Sequence, residues 1–200
     1  WRSQPAQGRA PVTGRAVRTW APAGRAALRG KRYCPMSIAR TWGTHSEERA
    51  LAYASDRYVD APFDALYRGV TVDAPAATVF RWLCQLRAAP YSYDWLDNLG
   101  RRSPRTLTPG LDALEVGQRF MRIFELVEFE PGRHVTLRLR DRGLASRLFG
   151  SVAVTYLVIG DAAGPTRLLA KLCVRYPRAP LGWVMRMLLP PGDLVMMRRQ

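Results

Sequence analysis

The feature that most constrains this chain is a change of hydrophobic period in its second half. Between about residues 119 and 176, apolar side chains recur at every second position in four successive segments. In Arg119–Phe129 the residues Met121, Ile123, Val127 and Phe129 share one face, with Glu125 among them. In His134–Asp141, Val135, Leu137 and Leu139 alternate with Thr136, Arg138 and Arg140. Ser151–Ile159 forms a third segment, and in Thr166–Tyr176 the residues Leu168, Ala170, Leu172 and Val174 oppose Arg167, Leu169, Lys171, Cys173 and Arg175. A period of two puts alternate side chains on opposite faces of a strand. Pro131-Gly132 and Asp161–Pro165 supply turns between the segments. Aliphatics on one side and charges on the other, repeated strand after strand, describe an antiparallel sheet with one covered face.

Helices must provide the cover. Asp73-Ala74-Pro75 places a carboxylate near an N-cap and a proline in the first turn of a helix. Ala76, Val79, Phe80, Leu83 and Leu86 then fall on one helical face, and Pro90 stops it. A strand over Leu66–Val72 precedes that helix. A short aromatic-rich helix, Tyr91 to Gly100, follows it, and residues 101–117 are loop-like. Ser46–Tyr53 predicts a short helix ahead of the domain. The C-terminal stretch, Leu181–Leu189 and then Asp193–Gln200, predicts a Met-, Leu- and Trp-rich helix interrupted at Pro190-Pro191-Gly192. Arg186 and that Pro-Pro-Gly break leave the run unsuited to a membrane-spanning helix of ~20 residues.

Strand, two short helices, a run of antiparallel strands and a long final helix is the order of the helix-grip fold. The words along the chain point the same way. Val72-Asp73-Ala74-Pro75 followed by Val79-Phe80-Arg81-Trp82-Leu83-Cys84-Gln85-Leu86 resembles the opening of START-like, Bet v 1-like domains, also called SRPBCC or polyketide cyclase-like proteins. Tyr91 to Leu99 (YSYDWLDNL) is similar to a segment of one bacterial subgroup, as are Val116-Gly117-Gln118 and the closing Gly192–Gln200. The resemblance covers about residues 65–200. It implies an α+β helix-grip fold: a curved antiparallel sheet, two short helices and a long C-terminal helix across one face. It also implies a cavity between sheet and helix that holds a hydrophobic molecule. The superfamily spans carriers, receptors and enzymes, so the resemblance implies no single activity.

Charge divides the chain unevenly. The net charge is +15, yet residues 1–35 hold eight basic groups and no acid. The remainder carries 23 basic against 16 acidic residues, almost all the former arginine and scattered among acids. That scatter argues against a nucleic-acid face, which concentrates its charge. Residues 1–35 lack the apolar core of a signal peptide and read as a disordered basic leader, or as sequence outside the native protein if Met36 is the start. Residues 36–64 form an extension, and 65–200 the ligand-binding domain. Cys34, Cys84 and Cys173 are odd in number, far apart and without a CxxC pair, which fits reduced thiols in a cytoplasmic protein.

No metal-ligand spacing, phosphate-cradling glycine loop or Gly-x-Ser-x-Gly elbow is present, so no cofactor, metal or nucleophile is predicted. The candidate ligand contacts are aromatic and polar residues at the cavity: Tyr91, Tyr93, Asp94, Trp95, Asn98, Glu125 and Tyr156. Aromatic rings offer flat apolar contact with a polar handle. Glu125, at an otherwise inward position, would have a raised pKa and serve as an acid or base. Tyr156 and Ser151 lie on opposite faces of one strand, so at most one of them faces the cavity. The expected function is binding of a hydrophobic small molecule as a carrier. The alternative is a cyclase or dehydratase using the same cavity, and Glu125 inside it would favour that reading.

Overall fold

A computed structural model describes residues 38–91, 102–141 and 143–199. The segments α1 (Ile38–Thr41), α2 (Ser46–Arg49) and a 3-10 turn at Ala54–Arg57 precede β1 (Asp64–Val72). Next come α3 (Ala76–Cys84), β2 (Arg119–Phe120), β3 (Phe124–Glu130), β4 (His134–Leu139), α4 (Leu144–Phe149), β5 (Ser151–Ile159), β6 (Thr166–Arg175) and α5 (Leu181–Arg199). The six strands form one antiparallel sheet in the order β1-β6-β5-β4-β3-β2. With α5 across one face, this is the helix-grip α+β arrangement expected from the sequence.

The inner face of the sheet carries Leu66, Leu126, Val135, Leu137, Val154 and Leu172, packed with Val79, Phe80, Leu83 and Leu86. The spacing of three and four in α3 is what turns those last side chains toward the sheet. Burying a large aliphatic side chain contributes about 1.5–3 kcal/mol, and this cluster is the main source of stability.

Besides α4, which the sequence did not announce, two departures from the sequence expectation bear on the site. Arg119–Phe129 is a tight hairpin, because Met121 and Arg122 take positive φ values of 42° and 66° and reverse the chain. A register shift between Leu126 and Glu128 then changes the parity within β3. An extra residue at a bulge moves every later side chain to the other face. The inward residues are therefore Phe124, Leu126 and Phe129, all in or against the inner core. Ile123, expected inward, is exposed.

The second departure is α5, which runs unbroken through Pro190 and Pro191. Each proline removes a backbone donor from a helix. Arg68 on β1 ties this turn to the sheet, donating to the Pro190 carbonyl (3.2 Å) and to Asp193 (2.7 Å). The far side of α5 is apolar and open to solvent, with Trp183, Met187, Leu188 and Val195 all exposed. Among the described residues, no helix is long and apolar enough to cross a membrane.

The sequence predicts one covered face, but the outer face of the sheet is covered too, chiefly by residues 48–63. Val59 packs with Ala153 and Cys173. The Ser55 amide donates to the Thr155 hydroxyl (2.8 Å), which lies 3.0 Å from the Thr136 hydroxyl. Lys171 reaches Asp56 at 2.6 Å and sits over the Tyr53 and Tyr67 rings at 5.4 Å each. At the end nearest α1 the two layers touch through glycine. The Gly69 amide donates to the Trp42 carbonyl (3.1 Å). A Cβ on Gly69 would come within 2.7 Å of the Gly43 carbonyl, and one on Gly43 within 2.1 Å of the Gly69 carbonyl. Neither position admits a side chain without moving the strand.

Candidate functional site

Between the inner face of the sheet, α3 and α5 lies a cavity of about 350 Å³. Its wall is built by strand phase and helix spacing. On β1 the period of two brings Arg68, Val70 and Val72 to it; on α3 the helical period brings Val79, Trp82 and Leu83. Leu168 and Ala170 of β6, Tyr156 of β5 and Met197 of α5 complete most of the rest. The volume falls within the usual range for small-molecule pockets, and the wall has the usual character: mostly apolar, with a few polar groups.

One small residue in one cross-strand row lines the space. Arg68 pairs with Ala170 across β1–β6, and Tyr156 pairs with Ala170 across β5–β6. Two long side chains thus flank an alanine, and the volume above the alanine is left open. Tyr91 approaches from the end of the α3 segment and packs edge-on against Trp82, with ring centroids 5.9 Å apart.

Arg68 is the one charged side chain among the described residues of the wall. Its side chain is 5% exposed and that of its partner Asp193 is 17% exposed. One terminal nitrogen donates to the Tyr67 carbonyl (2.8 Å), and the other serves Pro190 and Asp193. Nε is buried and makes no hydrogen bond. A buried donor left unpaired costs about 1–3 kcal/mol. Burial pushes the Asp193 carboxyl above the usual carboxylate range, opposed by the neighbouring guanidinium. Burial also pulls Arg68 down, with Asp193 opposing.

Of the residues singled out from sequence, Tyr91 and Tyr156 both line this cavity. Tyr93, Asp94, Trp95 and Asn98 lie outside the described residues. Glu125 stands elsewhere. It pairs across the sheet with Arg119 and Arg138, and Arg138 donates to it at 3.2 Å on the outer side. The shift of parity in β3 is the reason, so the carboxylate expected inside the cavity is a half-exposed partner of an arginine. His134 sits 3.5 Å from Glu128 and 3.8 Å from Glu130. Ser151 is exposed, away from the cavity. Cys84 belongs to the inner core rather than the cavity wall, and burial pushes its thiol up to about 11. Among the described residues, no three His, Cys, Asp or Glu side chains gather into a metal-ligating group.

The residues that sequence reasoning passed over are Arg68 and Asp193. A signal for Arg68 was present: it interrupts the inward series Leu66, Val70 and Val72 with a charge. Asp193 carried none, because its role depends on a helix that continues through Pro190 and Pro191.

No family model matches this chain, and no curated protein matches it. Solved structures are similar at low identity. A START superfamily protein from Mycobacterium smegmatis is 15% identical, with 68% of this chain and 92% of that chain covered and a TM-score of 0.45. The ZhuI aromatase/cyclase from Streptomyces sp. R1128 is 12% identical, with 68% and 90% covered and a TM-score of 0.41. The di-domain aromatase/cyclase BexL, from the BE-7585A biosynthetic pathway, is 12% identical at a TM-score of 0.40. The match spans 66% of this chain and 44% of BexL, under half of that protein's length. Proteins of START-like and polyketide cyclase-like description are thus among the solved structures this chain resembles.

Proposed function

We propose that the chain binds a hydrophobic small molecule in the cavity between the sheet and α5, as a carrier or binding protein. The observation that carries this reading is the open volume of about 350 Å³ above Ala170, walled by Val70, Val79, Leu83, Leu168 and Met197. Removing apolar ligand area from water supplies the affinity, at about 25 cal/mol per Å² before the costs of association. Tyr91 and Tyr156 provide aromatic walls with polar ends. Tyr93, Asp94, Trp95 and Asn98 follow Tyr91 closely in sequence and are proposed as further contacts. Glu125 is not, since it pairs with Arg138 on the other side of the sheet. Residues 65–200 are read as the binding domain, and the buried free thiols of Cys84 and Cys173 suit a cytoplasmic setting.

The test is a thermal-shift screen of aromatic and acyl compounds. A ligand present at about a hundredfold its Kd stabilises the native state by about 2.7 kcal/mol. A rise in Tm with at least one compound class, saturating with concentration, is the expected result. A panel that moves nothing would remove the reading. A cyclase or dehydratase would in addition turn over a poly-oxo substrate, which chromatography of the incubated mixture detects.

A further inference from the structure

Arginine offers five donors and no acceptor. In Arg68 the terminal nitrogens are engaged by the Tyr67 and Pro190 carbonyls and the Asp193 carboxylate, while Nε is buried without a partner. The side chain is 5% exposed and belongs to the wall of the cavity, next to the open volume over Ala170. No acidic side chain is among the described residues of that wall. We infer that the ligand is an amphiphile whose head is an anionic oxygen acceptor, such as a carboxylate, and that Arg68 recognises this head while the apolar wall holds the tail. The inference rests on the proposed binding function and adds the ligand's chemical class.

The selectivity follows from the donor inventory. A carboxylate presents two acceptor oxygens and a charge opposite to the guanidinium, the pairing that arginine makes most strongly. A hydroxyl presents one neutral acceptor. An ammonium presents only donors and a like charge, so it is repelled. Asp193 competes for the same guanidinium, and its own burial disfavours its charge, which makes it a partner a ligand carboxylate can displace.

The experiment uses displacement of the neutral dye N-phenyl-1-naphthylamine by decanoate, decanol and decylammonium at about pH 8, where decanoate is ionised. Wild type is expected to bind decanoate at least about tenfold more tightly than decanol, and decylammonium more weakly than either. In Arg68→Met, dye and decanol binding persist while the preference for decanoate falls to within about threefold. Equal affinity for decanoate and decanol in wild type, or an undiminished preference in Arg68→Met, would overturn the inference. Asp193→Asn is an independent arm. It is expected to tighten decanoate several-fold and leave decanol unchanged, and weaker decanoate binding there would count against the assignment. If neither the dye nor any of the three compounds binds, the cavity reading itself fails and this inference goes with it. Dye binding without a head-group preference defeats this inference alone.

Discussion

The two faces of the sheet both bury charge, and they treat it differently. On the outer face Lys171 meets Asp56 at 2.6 Å and two aromatic rings, and nearby Val59 packs with the buried Ala153 and Cys173. On the inner face Arg68 meets Asp193 at 2.7 Å, but its Nε has no hydrogen-bond partner and open volume lies beside the side chain. A buried charge held by its anion and two rings ties one layer to another. An incompletely partnered charge beside a hollow is what the proposed ligand head would use. The difference sets the packed outer layer apart from the proposed site on a sheet covered on both faces.

The largest effect that could break this contrast lies on the outer side. Asp56→Ala leaves Lys171 buried without its anion and is expected to cost about 3 kcal/mol, at the low end of the range for such losses because Asp56 is partly solvated. Urea denaturation measures it, and a loss near zero would mean the outer network holds nothing.

Next comes a matched pair of alanines. Ala153→Leu adds atoms to the filled outer layer and should cost about 2 kcal/mol. Ala170→Leu adds the same atoms over the cavity and should cost under about 1 kcal/mol while weakening ligand or dye binding at least about tenfold. Equal stability costs would erase the distinction between a packed face and a hollow one.

Arg68→Met is a smaller perturbation. Asp193, once alone, can escape its burial by taking up a proton, so stability near neutral pH should change by about 1 kcal/mol.

The subtlest test is pH. A hydrogen bond from Arg167 is the chief cause that holds Glu48 below the ordinary carboxylate value, outweighing its burial. Its contribution is therefore present above about pH 4.3 and lost as pH falls through the depressed value. Asp193 is raised by burial, so its effect has the opposite sign: stability falls as pH rises from about 3.9 through the raised value. Glu48→Gln should flatten the acid limb of a Tm-versus-pH curve, and Asp193→Asn should remove a decline on the way to neutrality. Parallel changes in the two variants would contradict the contrast between the faces.

Much of the fold was legible in local pattern. The inward rows Val135-Leu137-Leu139 and Leu168-Ala170-Leu172-Val174, and the buried stripe of α3, sit where their periods put them, because one-sided burial and backbone geometry are enough to specify them. Legibility failed where the backbone departs from regularity. The reversal at Met121-Arg122 and the shift beyond Leu126 changed the parity that would have aimed Glu125 inward. The same limit concealed the run of α5 through two prolines, which is supported by an arginine more than a hundred residues earlier in the chain.

Taken alone, the sequence determined most of the strands, α3 and a C-terminal helix, and which sides of the regular stretches are apolar, since those properties follow from near neighbours along the chain. It announced neither α4 nor the reversal at Met121-Arg122. Only the tertiary structure decided that Arg68, Ala170 and Tyr156 fall in one row, that Asp193 answers Arg68, and that the space between them stays open. These depend on register between strands distant in sequence and on side-chain volumes meeting across layers, quantities that no local pattern contains.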